Sequence, residues 1–225
     1  MIITFDLDGT ISDPIVGVTK SVNYALEKLG CSPKDQAEVE TLIGPPLWEI
    51  FSQLLGKDDD KLIRSGISFF RERYYRVGFM ENILYPGITD LLEALVSDGH
   101  TLYIATNKKD TIAEAVADYF RISKYFKKIL GCGLKRDKHE LLNEIRKAEK
   151  SDRFVMIGDR LHDMKAGRSA RFYCIGVLWG YGSREELSDA GADMICSTPK
   201  ELYDDLRFTI SDLRFQSARI VNQKS

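Results

Sequence analysis

The chain has 225 residues, enough for one large domain or for a core with a smaller insert. Hydrophobic residues make up 44% and charged residues 29%, the balance of an ordinary globular protein and not of a disordered or membrane-embedded one. Lys plus Arg (32) nearly cancels Asp plus Glu (34), so the basic excess expected of a nucleic-acid binder is missing.

Met1 to Phe5 is a short apolar run that ends abruptly in Asp6-Leu7-Asp8-Gly9-Thr10, and it reads as a buried strand running into a turn. From about Ile15 to about Arg76 the pattern is helical, broken at Gly30–Pro33, Gly44-Pro45-Pro46 and Gly56–Asp60. Pro14 stands at its entrance and Tyr85-Pro86-Gly87 at its exit. This predicts an all-helical cap domain over residues 14–83, inserted into a core formed by residues 1–13 and 84–225. The Gly44-Pro45-Pro46 turn is either a rigid loop facing the site or simply a helix breaker. The charged run Arg71-Glu72-Arg73-Tyr74-Tyr75-Arg76 mixes signs with aromatics and reads as a solvated helix face.

Beyond the insert, helix and strand alternate. A helical pattern from Ile88 precedes a strand at Thr101–Ala105; helix Ile112–Phe120 precedes a strand at Lys128–Cys132; helix His139–Ala148 precedes a strand at Phe154–Ile157. Strands follow at Phe172–Val177 and, more weakly, Ala192–Cys196, then a helix at Lys200–Leu206. Such alternation predicts an α/β fold with a Rossmann-like parallel sheet and helices on both faces. Asp205-Leu-Arg-Phe recurs as Asp212-Leu-Arg-Phe, which reads as a chance duplication, and the end is either a docked helix or disordered. The four cysteines (Cys31, Cys132, Cys174, Cys196) form no CxxC pair and read as free thiols of a reducing compartment. No run approaches the roughly twenty apolar residues of a membrane span, and Asp6 and Asp8 interrupt any signal-peptide pattern. A cytoplasmic protein with neither membrane nor nucleic acid as partner is expected.

Ligands of open α/β sheets bind at the carboxyl ends of strands, so polar residues there carry the functional reading. Asp6 and Asp8 lie two apart and point the same way if the extended geometry persists; like charges so placed need a cation or a proton between them. The bland reading is an Asp cap and a Gly turn. Thr106-Asn107 follows a strand and offers donors for phosphate oxygens, although both are also common loop residues. A lysine, Lys138 or alternatively Lys135, stands at or before the next helix. Gly158-Asp159-Arg160-Leu161-His162-Asp163 follows another strand, and Asp159 and Asp163 can converge on one hard cation such as magnesium; His162 reads as a loop residue, not a ligand.

Taken in order, Asp-x-Asp-Gly-Thr, Thr-Asn, Lys and Gly-Asp-x-x-x-Asp resemble the four motifs of the haloacid dehalogenase-like hydrolase superfamily, over essentially the whole chain to about Leu206. Gly158-Asp159-Arg160 and Val177-Leu178-Trp179-Gly180-Tyr181-Gly182 look most like the phosphoglycolate phosphatase subgroup. The resemblance implies a magnesium-dependent phosphomonoester hydrolase working through an aspartyl-phosphate. Asp6 would be the nucleophile and Asp8 the general acid and base. Thr106, the Asn107 backbone N–H and Lys138 would bind the phosphoryl group, and Asp6, the Asp8 carbonyl, Asp159 and Asp163 would hold Mg2+. A small phosphorylated metabolite such as phosphoglycolate is the expected substrate, with a nucleoside monophosphate or a small sugar phosphate beside it.

Other readings remain beside that one: a sugar phosphomutase or nucleotidase of the same fold, a phosphonate hydrolase using Lys20 or Lys28, or a non-catalytic phospho-acceptor module. Asp8 favours phosphate-ester chemistry, since dehalogenases of the fold do not need an acid there. The late Gly-Asp-x-x-x-Asp loop and the helical insert speak against the acceptor module. Monomer and homodimer are both compatible with the sequence.

Overall fold

The computed structural model describes residues 1–56, 59–133 and 136–212, with side chains to Arg207. Lys135 and the tail beyond Asp212 therefore lie outside the described residues.

Six strands form one parallel sheet: β1 (Ile2–Phe5), β4 (Thr101–Thr106), β5 (Phe126–Gly131), β6 (Phe154–Gly158), β7 (Tyr173–Val177) and β8 (Met194–Cys196). Their spatial order is β5-β4-β1-β6-β7-β8, so the chain builds outward from β1 in one direction and then returns to build in the other. The reversal falls between β1 and β6, where ligand sites of such sheets form. Ile2 pairs with both Thr101 and Phe154, which brings the ends of the three central strands level.

The strands are apolar because the sheet is covered on both sides. Alternate residues serve opposite faces. Ile3, Phe5, Ile104, Val155 and Ile157 share a core with α5 (Ile88–Ser97), α6 (Asp110–Tyr119) and α10 (Pro199–Asp212) through Leu92, Ile112 and Leu202. Ile2, Tyr103, Ala105 and Met156 pack instead with Leu141, Leu142 and Ala166 of α7 (Lys138–Ala148) and α8 (Leu161–Ser169). A short α9 (Arg184–Asp189) lies against β7 and β8. The predicted strands and helices all occur, with shifted ends. The third strand starts at Phe126, which is buried and pairs with Leu102, rather than at Lys128. The helix predicted from Ile112 begins at Asp110, and the last one runs past Leu206 to Asp212.

Between β1 and α5 stand α1 (Ile15–Lys28), α2 (Gln36–Glu40), α3 (Leu47–Leu55) and α4 (Asp60–Tyr74). Their starts follow the sequence chemistry: Asp35 and Glu38 form a reciprocal capping box, and Asp59 accepts from the N–H groups of Lys61 and Leu62. α1 and α4 pack together, burying Val22, Ala25 and Leu26 on one and Ile63, Ile67 and Phe70 on the other. Phe51 of α3 meets Phe70 edge-on at 6.1 Å.

One feature has no counterpart in the sequence reading. β2 (Ser12–Asp13) and β3 (Ile83–Leu84) form a two-residue antiparallel ribbon, Ser12 opposite Leu84 and Asp13 opposite Ile83. The chain thus enters and leaves the helical segment side by side. Among the described residues, no helix is long and apolar enough to cross a membrane, and all four cysteines are free.

Candidate active site

The strand-end loops bring the acidic residues together. Asp6 is the first residue past β1, and its N–H donates to the Ile157 carbonyl of β6 at 2.9 Å, which sets the β1 and β6 exits side by side. Asp159 follows β6, and Asp163 lies in the first turn of α8, where its Oδ2 accepts from the Arg160 N–H at 3.0 Å. One carboxylate oxygen from each of Asp6, Asp159 and Asp163 lies within 4.8 Å of the others, and all three residues are buried.

Glycine makes this approach feasible, Gly9 and Gly158 most directly. Gly9 has φ +82°, and a Cβ there would sit 2.1 Å from Asp159 Oδ2. A Cβ on Gly158 would lie 2.3 Å from the Asp163 side chain. Asp159 is further fixed by the Thr10 hydroxyl, donating at 3.0 Å, and by the Tyr181 N–H at 2.9 Å.

Lys138, the first residue of α7 after the Asp137 cap, reaches into this group. Its Nζ hydrogen-bonds Asp163 and forms an ion pair with Asp6 Oδ1 at 2.8 Å. Burial works to lower the Lys138 ammonium, but Asp163 and Asp6 outweigh it and hold the group charged well above the usual lysine range. Burial pushes the Asp163 carboxyl up to about 6 despite Lys138. Asp159 is also held well above the usual carboxylate range, by burial and then by the charges of Asp163 and Asp6. Three carboxylates face one ammonium, leaving two negative charges uncompensated. That deficit and an all-oxygen donor set fit a hard divalent cation.

Asp8 points elsewhere than the metal group. Its carboxylate pairs with Lys108, two residues past β4. Burial raises the Asp8 carboxyl above the usual range and Lys108 opposes this without cancelling it. Asp8 Oδ1 also has no hydrogen-bond partner among the described residues. Thr106 ends β4, is buried, and accepts from the Lys108 N–H at 3.3 Å. The Asn107 side chain donates to the Gly44 carbonyl at 2.9 Å, and Arg160 Nη1 donates to the neighbouring Ile43 carbonyl. Gly44-Pro45-Pro46 is therefore a loop held over the site, with Gly44 at φ +122°. His162 is half-buried and stands outside the carboxylate group. Lys20 is engaged by Glu81 at 2.9 Å on the surface.

A cavity opens from Asp6, Asp8 and Thr106 along Trp48, Ile67, Phe70, Tyr74 and Tyr75 of the helical segment. Here the reading of residues 71–76 as a solvated face is corrected. Only Glu72 and Arg76 are exposed; Tyr74 is buried, Arg73 forks onto Glu81 at 2.8 and 3.0 Å, and Arg71 lines the cavity. The α1–α4 contact turns that face of α4 inward, a tertiary effect that mixed charge along a helix does not reveal. Lys108 and Arg160 likewise carry no site signal of their own in the sequence. Lys108 stood one position past the Thr106-Asn107 pair, and Arg160 stood inside the quoted Gly158–Asp163 motif.

The fold and the acidic strand ends define an α/β protein with a candidate metal-assisted site at the sheet switch point. The family model described as haloacid dehalogenase-like hydrolase matches residues 3–177, and the chain belongs to that family. A 5'-nucleotidase of Pseudomonas aeruginosa is 42% identical over 190 residues, spanning 82% of this chain and 86% of the relative. A phosphoglycolate phosphatase of Agrobacterium fabrum is 31% identical over 187 residues, spanning 79% of this chain and 80% of the relative. In structure, a predicted phosphatase from Clostridium acetobutylicum superposes with a TM-score of 0.85 at 33% identity, covering 91% of this chain and 97% of that one. The chain is a phosphatase of this family.

Proposed function

We propose that the enzyme hydrolyses nucleoside 5'-monophosphates, with Asp6 as nucleophile, Asp8 as general acid and base, and residues 14–83 as a cap over a core of 1–13 and 84–225. The observation that carries the substrate class is the cavity. It runs from Asp6 and Asp8 along Trp48, Phe70, Tyr74 and Tyr75, an aromatic lining that suits a planar base beyond the phosphate. The relative that carries the name 5'-nucleotidase supports the same reading. Phosphoglycolate shares the dianionic phosphoryl end, but its leaving group is a two-carbon carboxylate with nothing to lay on those rings.

Asp6, Asp159 and Asp163, with the main-chain carbonyl of Asp8, would hold a magnesium ion, which supplies positive charge for the phosphoryl oxygens. Thr106, the Asn107 N–H and Lys138 would bind the remaining oxygens. An Asp6 carboxylate oxygen attacks phosphorus; the bond to the ester oxygen breaks, its electron pair staying on that oxygen, and protonated Asp8 donates the proton that makes the leaving alcohol. The Asp8 carboxylate then takes a proton from water as the water oxygen attacks phosphorus, and the Asp6 carboxylate departs, giving inorganic phosphate. The raised Asp8 pKa serves the first half of this exchange. The loop at 43–46, gripped by Asn107 and Arg160, closes the cavity against bulk water.

The test is phosphate release by the purified chain with magnesium, measured on nucleoside monophosphates, phosphoglycolate and sugar phosphates. Values of kcat/KM for nucleotides about tenfold or more above the others are expected. A preference for phosphoglycolate would overturn the substrate class.

A further inference from the structure

Trp179-Gly180-Tyr181-Gly182 follows β7 and has no part in the chemistry above, yet it packs tightly against the acidic group. The Trp179 indole N–H donates to the Thr10 carbonyl at 2.9 Å, and the Tyr181 N–H donates to Asp159 Oδ2 at 2.9 Å. A Cβ on Gly180 would lie 2.2 Å from the Gly9 carbonyl oxygen, and one on Gly182 would lie 1.9 Å from that of Asp159. Both flanks of Tyr181 are therefore in direct contact with the backbone of the catalytic loops. The side chain of Tyr181 reaches a different partner: its hydroxyl donates to Asp13 Oδ1. Asp13 belongs to the ribbon through which the chain enters and leaves the helical segment, where it pairs with Ile83. The same Oδ1 accepts the N–H of Ile15, the first residue of α1, at 2.9 Å. One residue thus holds a carboxylate of the metal group by its backbone and the root of the helical segment by its hydroxyl.

We infer that Tyr181 is a positioning residue that fastens the ribbon of Ser12–Asp13 and Ile83–Leu84 to the metal site, so that the root of the helical segment is firm when a cation holds Asp159 and looser when none does. The inference rests on the reading of Asp6, Asp159 and Asp163 as magnesium ligands given above. A hydroxyl donating to a carboxylate makes a stronger hydrogen bond than one between neutral groups. The ribbon that it steadies has only two residue pairs, and a two-stranded ribbon is marginal by itself. Asp159 without a cation is a buried carboxylate close to two others. An ion that draws those carboxylates together fixes the acceptor of the Tyr181 N–H, and with it the residue whose hydroxyl holds Asp13. Sites joined in this way are coupled in both directions. Tyr181 is not among the residues that line the cavity opening from Asp6 and Asp8, so it acts through Asp159 and Asp13 and not on the substrate.

The experiment is amide hydrogen exchange on the full chain, in EDTA and at saturating magnesium, for wild type and Tyr181→Phe. Phenylalanine keeps the ring and the backbone N–H and removes only the tie to Asp13. In wild type, magnesium should slow exchange at residues 159–163, beside the ion, and by about fivefold or more at residues 83–85, in and next to the ribbon. In Tyr181→Phe the slowing at 159–163 should remain, while that at 83–85 should fall to within about twofold. A hydroxyl that merely stabilised the fold would instead leave the ratio between EDTA and magnesium unchanged, with exchange at 83–85 faster in both. That result, no magnesium effect at 83–85 in wild type, or a variant that no longer takes up magnesium at all would each overturn the inference while leaving the ligand assignment standing. If magnesium fails to slow exchange at 159–163 in wild type, the ligand assignment itself falls, and this inference with it.

Discussion

Replacing Asp159 with Asn should stabilise the metal-free protein while destroying its activity. Asp159 is fully buried and its carboxylate sits within 4.8 Å of those of Asp6 and Asp163. At an effective dielectric constant of about 20, two like charges at that separation repel by about 3 kcal/mol. Lys138 offsets part of this through Asp6 and Asp163, but Asp159 makes no ion pair of its own with it. Burial first, and then the charges of Asp163 and Asp6, raise the Asp159 carboxyl, a cost met either as an unfavourable buried charge or as uptake of a proton. Asparagine incurs neither, and it keeps a carbonyl for the Tyr181 N–H and an amide that can donate to the Thr10 hydroxyl. After losses in that hydrogen-bond pair, a net gain of about 1–3 kcal/mol is expected, or about 3–10 °C in Tm for a protein of this size. Differential scanning fluorimetry in EDTA near neutral pH, repeated with magnesium, reads both halves. Wild type should gain stability from the metal and Asp159→Asn should not. If the variant melts at or below wild type in EDTA, the carboxylates do not strain the empty fold and the electrostatic reasoning fails.

Asp6→Asn should lower kcat by about 10⁴-fold or more and Asp8→Asn by about 10²- to 10⁴-fold, both with native circular dichroism; ordinary phosphate release by Asp6→Asn would remove the nucleophile assignment. For pH, Asp163 is raised to about 6 in the folded protein against about 4 when unfolded. Its contribution to stability is complete below about pH 4 and is lost as pH rises through about 6. Urea unfolding in EDTA should therefore show stability falling between about pH 4 and 6, less so with magnesium, and a flat profile in EDTA would contradict this. Arg160→Met frees the Ile43 carbonyl and the Glu186 carboxylate, and the loosened loop should raise KM for nucleotides about five- to tenfold. An unchanged KM would show that the loop does not need that grip.

Much of the sheet and the carboxylate group could be read from the sequence because each signal is local. An apolar run ending in Asp6 or in Gly158-Asp159 announces a strand end, and the αβ alternation then forces those ends to one edge of a parallel sheet. Lys138 was legible as a lysine opening a helix, and its contact with Asp6 and Asp163 follows from that placement. What stayed hidden depends on pairs distant in sequence. Lys108 finds Asp8 across 100 positions, Arg160 finds Ile43 across 117, and neither has a pattern of its own. Arg71 read as surface because its neighbours Glu72 and Arg76 are surface. β2 and β3, two residues each, are too short for any alternation to register.

That ribbon has an evolutionary corollary. Because Ser12–Asp13 and Ile83–Leu84 are zipped together, the polypeptide departs from the sheet and rejoins it through a single doorway. Whatever hangs from the doorway can be lengthened, trimmed or exchanged without shifting the register of any strand behind it. On the proposed reading, the residues that break the ester bond would lie on one side of the threshold, and those that choose the ester on the other.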